Sequence, residues 1–245
     1  MNERGLAPYL SVVVPFFNER ENARPVHLEL SAALAGVNGG VEFLYVDDGS
    51  LDGTGDELSK LAREDARVRL LRFPENRGQT AALDAGFRAA RGEVIATLDG
   101  DGQNDPADLP RLLVALAHAD VVNGVRTNRQ DPWLRKLSSR IANGFRNWAT
   151  GEQVTDVGCS LRVMRADFVK RTKLYRGLHR FLPTLLRLEG ARLAELPVNH
   201  RPRRAGVSKY GIGNRLFAAL ADLLAVRWMM KRRLPAPPSE SQLPS

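Results

Sequence analysis

Apolar residues come in short runs through the first half of the chain, each broken by a single polar residue. Leu10–Pro15, Val41–Val46, Val68–Leu71 and Val94–Leu98 are four to six residues long and mostly β-branched or aliphatic. Runs of that length read as strands buried on both faces. Between them lie segments of helical length, roughly 19–35, 54–65 and 79–91. Strand, helix, strand at this spacing predicts βαβ units and a mostly parallel sheet with helices on both faces. Right-handed crossovers then gather the carboxyl ends of the strands on one edge, where open α/β sheets bind their ligands.

The pattern loosens after residue 125. Pro132 to Thr150 reads as a basic helix with Trp133, Leu134, Leu137, Ile141 and Phe145 on one side. Ser160 to Met164 reads as a strand, Ala191 to Asn199 as an edge strand stopped by Pro202, and Gly211 to Arg233 as one long helix. The expected organisation is a main domain over 1–210, an amphipathic helix over 211–233 and a Pro/Ser-rich disordered tail over 234–245. No internal repeat interrupts this order.

Composition narrows the class. The 245 residues are 43% hydrophobic and 26% charged, as expected of a globular chain with a sizeable core. One cysteine, Cys159, excludes an internal disulfide framework and suits a reducing compartment. No signal segment opens the chain, and no run of eighteen apolar residues predicts a spanning helix. The net charge of +8 is unevenly placed. Residues 1–125 hold 12 Lys and Arg against 20 Asp and Glu, whereas residues 126–233 hold 24 against 7. Carboxylates in one half can hold a metal, and arginines in the other can hold phosphates or a negative surface.

The residues just past each strand carry the chemistry. Pro15, Asn18 and Glu19 follow the first; Asp47, Asp48, Gly49, Ser50 and Asp52 the second; Asn76, Arg77 and Gly78 the third; Asp99, Gly100, Asp101 and Gln103 the fourth. Asp99 and Asp101, two apart at a strand end with glycines allowing a bend, can share a hard divalent cation such as Mg²⁺, which takes one or two carboxylates plus phosphate oxygens. A calcium EF-hand is excluded, because Asn104 and Pro110 stand where that loop needs Gly and Glu. An acidic turn capping the next helix is the competing structural use. Asp47–Thr54 can likewise serve as a turn and helix cap, although one carboxylate suffices for that. No G-x-G-x-x-G follows the first strand, no G-x-x-x-x-G-K-[ST] loop is present, and His27, His118, His179 and His200 form no zinc pattern.

Taken in order, Val14-Pro15-Phe16-Phe17-Asn18-Glu19, Asp47-Asp48-Gly49-Ser50-x-Asp52-x-Thr54, Asn76-x-Gly78 and Asp99-x-Asp101-x-Gln103 resemble family 2 glycosyltransferases of the GT-A fold. Gly124-Val125-Arg126, Arg135 with Ser139, Asp156 to Arg162, and Arg203-x-x-Gly206-x-Ser208-Lys209-Tyr210 resemble its dolichyl- and polyprenyl-phosphate mannosyl- and glucosyltransferase branch. The resemblance implies an inverting enzyme that moves a hexose from a GDP- or UDP-sugar to a polyprenyl (undecaprenyl or dolichyl) phosphate, with Mg²⁺ or Mn²⁺. It implies donor contacts at Pro15, Asn18, Glu19, Asp47, Asp48, Asp99, Gly100 and Gln103, and metal ligation by Asp99, Asp101 and Gln103. It places the acceptor phosphate at Arg126, Arg135 and Ser139, and the catalytic roles on Asp101, Asp156, Arg203 and Lys209. Gln79 departs from the pattern, standing where a Lys is common.

A phosphate oxygen is already anionic, so such a reaction needs no general base; Asp156 could be one, or could orient Arg162 or the acceptor loop. Leu216, Phe217, Leu220, Leu223, Leu224, Trp228 and Met229 can form an apolar stripe flanked by Arg215, Arg227, Lys231, Arg232 and Arg233. That stripe would lie in an anionic membrane interface, or pack on the domain or on a second copy in a homo-oligomer. Asp222 fits the membrane reading poorly. Peripheral attachment to the cytoplasmic face of a membrane is the expected location. Two alternatives stay open: a transferase acting on a glycan hydroxyl, and a non-catalytic basic adaptor for membrane or nucleic acid. Nucleic acid is not an expected partner, since 7% aromatic residues form no stacking cluster.

Overall fold

The computed structural model describes residues 7–127, 154–202 and 215–232, with Gly144 and Gly151, and only the backbone of 215–219. The strands are β1 (Leu10–Phe16), β2 (Val41–Asp47), β3 (Val68–Arg72), β4 (Val94–Thr97), β5 (Val121–Arg126), β6 (Arg162–Arg165) and β7 (Leu193–Val198). They form one sheet in the order β3-β2-β1-β4-β6-β5-β7. Only β6 runs antiparallel to its neighbours, β4 and β5. The helices are α1 (Arg20–Ala33), α2 (Thr54–Glu64), α3 (Gln79–Ala89), α4 (Leu109–Ala115), α5 (Ala166–Arg171), α6 (Leu182–Leu188) and α7 (Arg215–Lys231).

Strand alternation builds the two apolar layers. Val12, Val14 and Phe16 of β1, with Phe43 and Tyr45 of β2, face Leu30 of α1, Leu58 of α2 and Leu109 of α4. Val13, Leu44 and Val46 point the other way, onto Leu83 and Phe87 of α3 and Leu186 of α6. Because helices cover both faces, the central strands are apolar at nearly every position. Fully burying each such side chain contributes about 1.5–3 kcal/mol.

The first four strands and three helices stand close to their expected places. β5 has no counterpart in the expected strands. Its sequence, Val-Val-Asn-Gly-Val-Arg, breaks the apolar run with Asn123 and Gly124. The glycine is there because a Cβ would stand 2.8 Å from Val198 Cγ2 and 2.9 Å from the Leu161 carbonyl oxygen. α7 is less separate than expected: Leu223 and Val226 are buried against Leu178, Phe181 and Leu185. The basic helix expected over 132–150 and the tail beyond 233 lie outside the described residues.

Candidate active site

The carboxyl ends of β1, β2 and β4 meet at one rim, as parallel pairing requires: Phe16 pairs with Asp47, and Val13 with Thr97. Asn18 turns the chain with φ of 51°, a left-handed conformation Asn tolerates. Its N–H donates to Ser50 Oγ (2.9 Å), and its Oδ1 accepts from the Leu51 N–H (2.8 Å). The Glu19 N–H donates to Thr54 Oγ1 (2.8 Å), and Glu19 Oε2 accepts from Asn22 Nδ2 (2.6 Å). These bonds clamp the turns after β1 and β2 together, with Pro15 in β1 just ahead of the first. Asp48 reaches further, accepting the N–H groups of Arg77 (2.7 Å) and Gly78 (2.9 Å) and the Asn76 amide (2.9 Å). Burial pushes its carboxyl above the usual range in spite of those bonds. Asp47 is 0% exposed, with Oδ1 on the Ser50 N–H (3.0 Å) and Oδ2 3.1 Å from Arg72 Nε. Though expected among the donor contacts, it presents no surface to the cleft and instead shapes the turn behind it.

The turn after β4 is tightly held. Gly100 packs so close to β1 that a Cβ would lie 2.4 Å from the Phe16 ring and 2.9 Å from the Pro15 carbonyl oxygen. Asn104 accepts the Asp99 N–H (3.1 Å) and the Ser160 hydroxyl (2.8 Å) on one oxygen. Asp101 accepts the Gln103 N–H (3.1 Å). Gln103 gives its Nε2 to the Arg201 carbonyl (3.4 Å). Arg201 is fixed in turn by Glu29 and Asp105, each at 2.6 Å. Burial, and then the charge of Asp101, push the Asp99 carboxyl up to about 6.

Basic groups stand beside this acidic turn. Arg126 forms a two-pronged pair with Asp156, Nε–Oδ2 at 2.7 Å and Nη2–Oδ1 at 2.8 Å. Burial pulls its guanidinium down, but the Asp156 bonds and charge outweigh that and hold it above the ordinary value. With both oxygens so engaged, Asp156 anchors Arg126 and is not a free base. Arg162 is held by Asn123 Oδ1 (2.7 Å) and the Val157 carbonyl (2.9 Å). The charges of Arg162 and Arg126 both pull on Asp99, so acidic and basic clusters share one field. Arg135, Ser139, Arg203 and Lys209 lie outside the described residues.

The Glycosyl transferase family 2 model matches residues 11–172. The chain belongs to glycosyltransferase family 2. Among curated relatives, this glycosyltransferase is 41% identical over 228 residues to a dodecaprenyl-phosphate galacturonate synthase of Rhizobium johnstonii, covering 91% of this chain and 67% of the relative. It is 36% identical over 206 residues to an undecaprenyl-phosphate 4-deoxy-4-formamido-L-arabinose transferase of Edwardsiella ictaluri, covering 83% and 63%. The chain thus spans about two thirds of the length of these relatives. Among solved structures, a mannosyltransferase from Pyrobaculum calidifontis, in complex with GDP-Man and Mn²⁺, superposes with a TM-score of 0.65 at 20% identity, covering 96% of this chain and 67% of that one. Glucosyl-3-phosphoglycerate synthase from Mycobacterium tuberculosis, with Mn²⁺, UDP and phosphoglyceric acid, gives 0.68 at 18%, covering 94% and 80%. The fold is GT-A, and no described helix is long and apolar enough to cross a membrane.

The glycosyltransferase's acidic turn suits a divalent cation that is shared with substrate. Among the described residues no three His, Cys, Asp or Glu side chains converge as a complete metal cage. Two carboxylates and one amide oxygen leave coordination positions for diphosphate oxygens, as Mg²⁺ and Mn²⁺ chemistry favours. Burial first, and then the charge of Asp101, raise the Asp99 carboxyl, and a bound cation would offset both. Sequence reasoning gave no site role to Asn104, Asn123, Gln79 or His179. Their partners are distant in the chain, Asn123 and Arg162 being 39 apart and Thr80 and His179 99 apart. Gln79, the departure from the family pattern, donates Nε2 to Asp99 Oδ1 at 2.8 Å.

Proposed function

We propose that this glycosyltransferase moves a hexose from a nucleotide diphosphate sugar to a polyprenyl phosphate. The observation that carries this reading is that Asp99 and Arg162 line one cavity, with Arg126 Nη2 packed against Gly158 of the same wall. One side suits a cation-bound diphosphate, and the other an anionic acceptor. An acceptor phosphate oxygen forms a bond to the anomeric carbon as the bond from that carbon to the diphosphate breaks, with inversion and without proton transfer. Holding both reactants in line supplies much of the rate. Mg²⁺ or Mn²⁺ held by Asp99, Asp101 and Gln103 would stabilise negative charge on the departing diphosphate. Arg126, fixed by Asp156, would hold the acceptor phosphate with Arg135 and Ser139, and Arg203 and Lys209 would cover the diphosphate. A glycan hydroxyl acceptor would need a base, and the carboxylate best placed by sequence, Asp156, is spent on Arg126.

The same reading includes a membrane surface. α7 buries Leu223 and Val226, while Leu220, Leu224 and Trp228 are 42%, 60% and 62% exposed along its opposite face. Asp222, the one acid on the helix, is tucked inward, its Oδ2 2.8 Å from where a Gly177 Cβ would be. The outward face therefore carries apolar groups, Trp228 and the cations Lys231 and Arg232, a combination that favours an anionic lipid interface. A chain whose one thiol is free and buried suits the cytoplasmic face.

Asp101→Asn tests the core of the reading. In an assay with nucleotide sugar, Mn²⁺ and polyprenyl phosphate, turnover should fall by at least about tenfold to a hundredfold, a loss seen even for outer-shell partners of a metal. Full activity would remove the metal-bound diphosphate from the mechanism.

A further inference from the structure

The chain that leaves β7 returns to the acidic turn and is fastened to it. The Asn199 N–H donates to Asp108 Oδ2 at 2.7 Å, and His200 pairs with Asn104 as an antiparallel bridge. The Arg201 N–H then donates to the Gln103 carbonyl at 2.8 Å, while Gln103 Nε2 donates back to the Arg201 carbonyl at 3.4 Å. Residue 201 thus holds both the main chain and the side chain of Gln103, 98 positions earlier in the chain.

The ladder between β5 and β7 ends at Val198, so the peptide of residue 201 is fixed chiefly by its own side chain. The Arg201 guanidinium forks between two elements. Nη1 lies 2.6 Å from Glu29 Oε2 on α1, and Nη2 lies 2.6 Å from Asp105 Oδ1. Asp105 is itself pinned, because its Oδ1 accepts the Ala107 N–H at 3.1 Å and caps the 3-10 turn Pro106–Asp108. One guanidinium therefore ties the helix that follows Glu19 to the acidic turn and to the segment after β7. Charge-assisted bonds of this kind are roughly twice as strong as neutral ones. The rigid fork of an arginine spans two carboxylates, where a lysine offers a single point charge. With a carboxylate on each arm, Arg201 is built to hold protein and not substrate phosphate.

We propose that Arg201 is a positioning residue for the metal. It touches neither cation nor diphosphate, but it holds Gln103, and with it the Asp99–Gln103 turn, in the shape a divalent cation binds. A ligand held in advance by its outer partners need not be ordered when the cation arrives. The proposal rests on the metal-bound diphosphate reading above and adds to it a residue to which the sequence gave no role. Arg24 supplies a comparison. It forks in the same way, to Glu57 and Glu64 at 2.7 Å each, but it joins α1 to α2.

Calorimetric titration of Mn²⁺ into the whole chain, with UDP or with GDP present, reads the effect. Arg201→Met should weaken Mn²⁺ binding by about tenfold to a hundredfold, the loss typical of an outer-shell partner. Arg201→Lys should recover part of that loss, since one carboxylate stays within reach. Affinity for the nucleotide in EDTA should stay within about threefold of wild type, because the turns at Asn18 and Asp48 are untouched. Arg24→Met, which removes a fork of the same kind, should leave Mn²⁺ binding within about twofold. Unchanged Mn²⁺ binding in Arg201→Met overturns the proposal. So does an equal loss in Arg24→Met, or a parallel loss of metal-free nucleotide binding, either of which would reduce Arg201 to general support of the fold. In each case the wild-type chain still binds Mn²⁺, and the metal reading stands. If Arg201→Met does not fold, Glu29→Gln decides, since it removes the charge of one arm alone. Mn²⁺ binding weakened by about threefold or more upholds the proposal, and unchanged binding overturns it. If the wild-type chain binds Mn²⁺ with neither nucleotide, the metal reading falls and this one falls with it.

Discussion

The Asp156 carboxylate pairs with Arg126; the sequence leaves it open as a base or as an orienter of Arg162 or the acceptor loop. As a base it would act on a proton; as found, it spends its charge on Arg126 and also accepts the Gly158 N–H at 3.2 Å. Asp156→Asn keeps the shape and removes the charge, so Arg126 loses its orientation. The expected result is a KM for lipid phosphate raised by about tenfold to a hundredfold with the donor KM little changed. A fall in kcat of about a hundredfold or more at unchanged acceptor KM, with loss of a basic limb in the pH profile, would instead mark a general base. His179 makes a second residue-scale prediction. Its pKa is near 4 in the fold, against an ordinary value near 6.5, so the unfolded chain takes up a proton first as the pH falls. Its contribution to stability is complete above about 6.5, declines down to about 4, and is gone below that. His179→Gln should flatten that part of a denaturant midpoint-versus-pH curve; an unchanged slope would show that the ring is not held neutral.

Elements differ in how well the chain announces them, and burial explains which. β1, β2 and β4 are covered on both faces, so their apolar runs are nearly continuous and easily read. β5 sits in the same sheet but serves the site with Asn123 and Arg126, and those polar positions hid it. The acidic turns were legible because each is contiguous in sequence. The asparagines that orient them were not, since Asn104, which accepts the Asp99 N–H, also binds Ser160, 56 residues further on. α7 illustrates a choice the sequence left open: its stripe is wide enough to pack inward through Leu223 and Val226 and still leave an apolar ridge outside. Leu224→Glu with Trp228→Glu should change stability little, about 0.5 kcal/mol or less per site, because neither side chain is enclosed. The same pair should sharply reduce sedimentation with vesicles of anionic phospholipid. Undiminished binding would return the ridge to a protein–protein role.

At the scale of the molecule the uneven charge becomes a division of labour. The acidic half supplies β1, β2 and β4 and thus the turns where a cation-bound diphosphate fits. The basic half supplies Arg126 and Arg162 at the cleft and Lys231 and Arg232 at the outer end of α7. Salt acts differently on these two sets. Raising ionic strength from about 0.1 to 1 M shortens the screening length from about 10 to about 3 Å, which weakens contacts between exposed charges far more than those inside a cleft. Attachment of the chain to anionic vesicles should therefore weaken steeply with salt, since each Lys or Arg near such a surface contributes about 1 kcal/mol. Donor affinity, measured without vesicles at fixed Mn²⁺, should change far less, because Asp101 is buried and Asp99 and Gln103 are half-buried. Parallel loss of both would mean that donor capture also depends on exposed charge, and the two halves would then act as one electrostatic surface and not as a cleft beside a landing face.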